Sequence, residues 1–132
     1  MTKEEKQILL KDLCMRLPYG VKATTTSNVW KEVYTITGYA NNRIYLDCPV
    51  YDEGDDEWLV EFVKPYLRPM SSMTKEEHDE YIMIEYSINA GMTAKRDFTK
   101  WIDFVHSHHF DYRGLIEKGL ALPAPEGMYD FK

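Results

Sequence analysis

The hydrophobic pattern changes period along the chain. Near the start, Leu9, Leu10, Leu13 and Leu17 recur at helical spacing, with Lys6, Lys11, Asp12 and Arg16 mostly elsewhere. Thr2 followed by Glu5 is a capping-box pair. The spacing predicts a helix over about residues 3–16, ended by Pro18 and Gly20. From Val21 to Cys48, Thr, Val, Tyr and Ile dominate, which predicts strands near 21–26, 32–39 and 43–48. Ala40-Asn41-Asn42 predicts a hairpin turn, because Asn tolerates positive φ. In the third strand Ile44, Leu46 and Cys48 point one way and Arg43, Tyr45 and Asp47 the other, which indicates one buried face.

Residues 52–57 read as a solvated acidic loop, and Trp58 to Val63 as a fourth strand in a core position. Pro65 and Pro69 bracket Tyr66-Leu67-Arg68, which predicts an extended connector. Thr74 with Glu77 forms a second capping box, and Tyr81, Ile84 and Ile88 continue one apolar stripe until Asn89-Ala90-Gly91 stops the helix. Phe98, Trp101, Ile102 and Val105, at i, i+3, i+4 and i+7, predict a third helix over about 94–107. Residues 111–119 suggest one further short helical turn. Pro123, Pro125 and Gly127 exclude regular structure after it, and Leu120, Leu122, Met128, Tyr129 and Phe131 predict a tail that packs back.

The expected fold class is α+β: an N-terminal helix, a small antiparallel sheet of about four strands, and two to three C-terminal helices packed on one face. A single domain over 1–132 is expected. It divides into a helix (1–17), a strand-rich part (21–63), a connector (64–74), and a helical part with the tail (75–132). The stripe of Phe98, Trp101, Ile102 and Val105 is expected to meet the face bearing Trp58, Val60 and Phe62. That would make one compact body whose outside is used for contact.

Composition supports a folded core, with 44% hydrophobic and 14% aromatic residues. Charge changes the picture more. The net charge is -6, and residues 47–61 hold seven acids and no base, while residues 1–46 hold seven bases and four acids. An acidic chain disfavours a nucleic-acid partner, since counterion release needs clustered Lys and Arg. No run is apolar enough to cross a membrane, and the mixed-charge start lacks a signal-peptide core, so a cytoplasmic protein is expected. Cys14 and Cys48 read as reduced, half-buried thiols.

Candidate chemistry is sparse. His106, His108 and His109 crowd the end of the third helix, and His106 and His109, at i and i+3, share a face. They could hold zinc or another transition metal, but ordinary packing and capping at a helix C-terminus is the favoured reading. Asp111, Tyr112 and Arg113 could clamp an anionic ligand, with a loop-fixing role favoured. Asp52, Glu53, Asp55, Asp56 and Glu57 form an acidic patch. It fails the calcium-loop pattern because Val63 stands where the closing Glu belongs, which leaves a solvated loop or a dock for a basic partner. Tyr66, Arg68, Met70 and Met73 could form a contact patch, balanced against a simple edge-covering role. No nucleophile elbow, phosphate-binding loop, dinucleotide fingerprint or HExxH motif is present.

Two blocks, Val63–Thr74 (VKPYLRPMSSMT) and His109–Leu122 (HFDYRGLIEKGLAL) running on to Tyr129, resemble segments of small uncharacterised proteins of Bacteroides-type gut bacteria and their phages or prophages. The resemblance implies a phage or mobile-element setting and carries no catalytic residues. The leading expectation is a non-enzymatic protein-binding accessory protein, without a cofactor, that engages a host or phage protein in the cytoplasm. Self-association is left open. The alternatives are a small metal-binding or hydrolytic enzyme using His106–Arg113, and a virion or assembly component. If the two blocks converge on one cleft with polar side chains, a ligand site is favoured.

Overall fold

The computed structural model describes residues 1–27, 32–47, 56–89 and 94–129. Helix α1 (Lys3–Arg16) starts at Thr2, whose hydroxyl accepts from Glu5 N while the Glu5 carboxylate accepts from Thr2 N. A 3-10 turn at Leu17–Tyr19 ends on Gly20 at φ 68°, a left-handed conformation that suits glycine. The chain then forms β1 (Lys22–Thr25), β2 (Tyr34–Ala40) and β3 (Arg43–Asp47). Asn41 and Asn42 both take positive φ, 49° and 65°, so the tight hairpin turn read from the sequence is observed. Ile44 and Leu46 are buried while Arg43 and Asp47 are exposed, as the alternation predicts.

The mid-chain differs from expectation. The fourth strand predicted over 58–63 is broken in two. Strand β4 (Asp56–Leu59) pairs with β3, a 3-10 turn spans Val60–Phe62, and β5 (Val63–Leu67) pairs with β1. Part of the predicted connector is therefore a strand. A final two-residue strand, β6 (Leu122–Pro123), lies parallel to β5 where no regular structure was expected. Among the described residues the sheet has six strands in the order β4-β3-β2-β1-β5-β6, mostly antiparallel.

That order forces curvature. Strands β4 and β5 stand four spacings apart, about 19 Å across a flat sheet. The chain covers that gap with only Val60, Glu61 and Phe62, four Cα steps reaching at most about 15 Å. The sheet must therefore curl, which brings β4 and β5 closer together than a flat sheet allows. Val60 N donates to Asn42 O on one side of the turn and Thr26 N donates to Phe62 O on the other. Val21, Ala23, Tyr34, Ile36, Ile44, Leu46, Val60 and Val63 fill the interior, together with Leu9 and Leu13 of α1 and Leu115, Leu120 and Ala121 of the tail.

Helices α2 (Lys75–Asn89) and α3 (Ala94–Ser107) complete the α+β fold. They pack on each other and build a second apolar cluster of Phe104, Val105 and Phe110, joined by Met70, Met73, Tyr81, Ile84, Trp101 and Tyr112. The expected meeting of the tryptophans does not occur. Trp58 packs against the sheet-side cluster and Trp101 against the second one. Helix α1 supplies the sheet with its helical cover, which leaves α3 to pair with α2. Phe62 and Phe98, both expected inside, are 44% and 52% exposed. Residues 111–119 form hydrogen-bonded turns: Lys118 N donates to Gly114 O, the bond of a single helical turn, and Gly119 at φ 76° closes it, with Gly119 N donating to Ile116 O and Leu120 N to Leu115 O.

Candidate functional site

The two blocks converge. Past its pairing with β1, strand β5 is flanked by the second block: Arg68 N donates to His109 O, Asp111 N to Arg68 O, and Ala124 N to Leu67 O. Between them and the start of α2 lies a cleft of about 780 Å³. Its walls carry Arg68, Ser72 and Thr74 of the first block, Glu76 and Glu77 of α2, His108, and the tail from Ala124 to Gly127 with Tyr129.

The polar groups of this cleft are largely engaged with one another. Arg68 donates from Nη1 and Nη2 to the two Glu77 carboxylate oxygens, both at 2.7 Å, and its guanidinium lies 4.4 Å from the centre of the Phe110 ring. Glu77 also accepts from Thr74 N at 2.9 Å, and Thr74 Oγ1 accepts from Glu77 N, so the second capping box is formed. The Arg68 hydrogen bonds, helped by Thr74 N, hold the Glu77 carboxyl down at about 2 despite its partial burial. His108 Nδ1 lies 2.9 Å from Phe104 O, and its Nε2 is 3.8 Å from Glu77. Arg68 thus anchors α2 to β5.

A second polar group is buried between α1, α3 and the second block. Asp12 and Arg16 are fully buried, although the sequence reading set them away from the apolar face. Residues 9, 12, 13 and 16 form one stripe at i, i+3, i+4 and i+7, a signal that could have placed both inside. Asp12 accepts from Arg16 Nε at 2.7 Å and from Arg113 Nε at 3.1 Å, and Arg16 Nη2 donates to Phe110 O. The Asp111 carboxylate accepts from Leu115 N at 2.8 Å and Ile116 N at 3.0 Å, which closes the following turn. Tyr112 meets Trp101 edge-on at 5.2 Å and packs against the Arg16 and Arg113 guanidiniums. Asp111 and Arg113 therefore bond to different groups and do not form a joint clamp.

The histidines separate. Helix α3 ends at Ser107, and His109 takes φ 60°, so His106 and His109 no longer share the expected face. His106 Nε2 is 2.8 Å from the Tyr112 hydroxyl, and burial lowers its pKa. The His108 ring lies tilted against Phe104 at 4.4 Å and parallel to Phe110 at 5.9 Å, and His109 stacks on Tyr129 at 3.9 Å. Burial, reinforced by the Arg16 charge, pushes His109 down to about 3. Among the described residues no three His, Cys, Asp or Glu side chains are placed to hold a metal ion.

The other singled-out residues also have definite places. Tyr66 is half-buried and its carbonyl accepts from the Tyr129 hydroxyl, while Met70 packs into the second cluster. Asp56 and Glu57 belong to β4 rather than to a loop, because pairing with β3 begins there, and Glu57 is 2.9 Å from Arg43. Asp52, Glu53, Asp55 and Cys48 lie outside the described residues. Cys14 is half-buried, as expected.

One surface was not singled out from the sequence. Helix α2 buries Tyr81 and Ile84 in the second cluster, yet Ile82, Met83 and Tyr86 on its other side are 49%, 67% and 69% exposed. With Asp79 they stand at i, i+3, i+4 and i+7, a second stripe visible in the sequence. Beside it, Met83, Ile84 and Phe104 line a groove of about 500 Å³ between α2 and α3. No family model, curated protein or solved structure matches the chain.

Proposed function

We propose that this chain is a non-enzymatic protein-binding accessory protein that docks a partner on the outward face of α2. The observation that carries this reading is that α2 is apolar on two faces while only one is covered. A helix with apolar side chains on opposite sides suits a position between two surfaces, and contiguous exposed apolar groups mark contact sites. The tryptophan arrangement that the sequence suggested as a basis for contact is not adopted, so the reading rests on α2 alone.

The resemblance of the two blocks supports a phage or mobile-element origin and a host or phage protein as the partner. A host-cytoplasmic setting follows from that phage reading; among the described residues no helix is long and apolar enough to cross a membrane. The dispersed histidines lend no support to the metal or hydrolytic alternative.

The test compares the wild-type chain with an Ile82→Gln/Met83→Gln/Tyr86→Gln variant as baits in lysate of a Bacteroides-type host. A protein retained by the wild type and lost from the variant is the expected result. Equal retention by both, or no reproducible retention, would remove the proposal.

A further inference from the structure

The charge around α2 restricts what can sit on it. Glu76, Asp79 and Glu80 are exposed on the helix that presents Ile82, Met83 and Tyr86, and Asp103 lines the adjoining groove. Glu85, one turn before the end, is exposed as well. Against these stand Lys75 at the helix start and Lys100 across the groove. Glu77, the remaining acid of the helix, points inward to Arg68 and takes no part in the outer surface. Among the described side chains the docking face is thus an apolar strip in an acidic frame, five exposed carboxylates against two lysines.

We infer that the occupant is an amphipathic helix whose apolar face meets Ile82, Met83 and Tyr86 and whose flanks carry Lys or Arg. This rests on the α2 docking reading and adds the chemistry of the partner. A helix is the matching shape, because the strip follows one helical face and the groove beside it runs between two helices, where an anchoring side chain can enter. An acidic partner would place like charges together and leave them partly desolvated. A second copy of this chain would bring the same acidic frame onto itself in a two-fold pairing of α2 with α2.

The test titrates two synthetic helical peptides of about 18 residues, about five turns, into the full chain. Both carry leucine on one face; one has lysine and the other glutamate on the remaining positions. The lysine peptide is expected to bind at least about tenfold more tightly than the glutamate peptide. Its binding should weaken about tenfold in Glu76→Gln/Asp79→Asn/Glu80→Gln, weaken between about 50 and about 200 mM salt, and vanish in the Ile82→Gln/Met83→Gln/Tyr86→Gln variant.

Equal binding of both peptides, each lost in the apolar variant, would overturn the charge inference and leave the docking face standing. Binding of the lysine peptide that survives the apolar variant would place it elsewhere and overturn the inference. A wild-type dimer in sedimentation that the apolar variant dissociates would make the second copy the occupant, which also overturns it. No binding by a monomeric wild type would remove the inference and the docking reading together.

Discussion

Asp12 carries more of this fold than its size suggests. One carboxylate receives two guanidiniums inside the molecule, with Arg16 fully buried and its Nη1 lacking a hydrogen-bond partner among the described residues. Removing the anion would leave the buried Arg16 cation uncompensated beside the partly exposed Arg113, which is the costly way to break a buried ion group. Asp12→Asn should lower unfolding free energy by about 3 kcal/mol or more, read from urea unfolding. A loss below about 0.5 kcal/mol would mean that water reaches the group.

His109 gives a pH signature. Its folded value of about 3 lies below the ordinary 6.5, so the unfolded chain takes up the proton first as pH falls. Its contribution to stability is complete above pH 6.5 and is lost as pH falls toward 3. His109→Asn accepts the φ of 60° and cannot titrate, so its melting temperature should fall less than the wild type's between pH 7 and pH 4. Parallel curves would show that His109 is not held neutral.

At the scale of elements, the joints matter most. Strand β5 contains Pro65, opposite Ala23 of β1, where the pairing of the two strands ends; Lys22 and Tyr66 are the residues just beyond it. There the Tyr129 hydroxyl accepts from Lys22 N and donates to Tyr66 O, both at 2.7 Å, so a tail side chain bridges the two strands. Burial pushes this hydroxyl up to about 12. Tyr129→Phe leaves both backbone groups without that partner and should cost about 1 to 3 kcal/mol, measurable by urea unfolding. At the other joint, Arg68→Ala should let Glu77 rise from about 2 toward its ordinary 4.5, read by carboxyl NMR titration. An unmoved Glu77 would mean that Thr74 N, not Arg68, sets its charge.

These joints also mark where the sequence was legible. The capping boxes at Thr2 and Thr74 and the Asn41-Asn42 turn are local devices, and each is where local chemistry predicts it. The break at Val60–Phe62 was hidden, because Trp58 to Val63 alternates like one strand and the break comes from a change of partner, β3 before it and the distant β1 after it. Strand β6 exists only because β5 offers its edge. The buried place of Asp12 and Arg16 depends on Arg113 and the Phe110 carbonyl, about a hundred residues away. The cleft joined residues quoted from both blocks, whereas the outer stripe of α2 was present in the sequence but outshone by the inner one.

For the whole molecule, two apolar clusters share the work of folding. The curled sheet with α1 and the tail makes one, and the α2–α3 pair with residues 70–73 and 110–112 makes the other. Arg68 and the Asp12 group tie them together. Neither cluster includes Ile82, Met83 or Tyr86. A face left over from folding can be altered without harm to the fold, which separates a docking surface from a poorly covered core. The most direct measurement is therefore the urea unfolding curve of Ile82→Gln/Met83→Gln/Tyr86→Gln, the variant designed to lose its partner. Unfolding free energy within about 0.5 kcal/mol of the wild type is expected. A fall of several kcal/mol would show that the stripe belongs to the chain's own core and would contradict its use for docking.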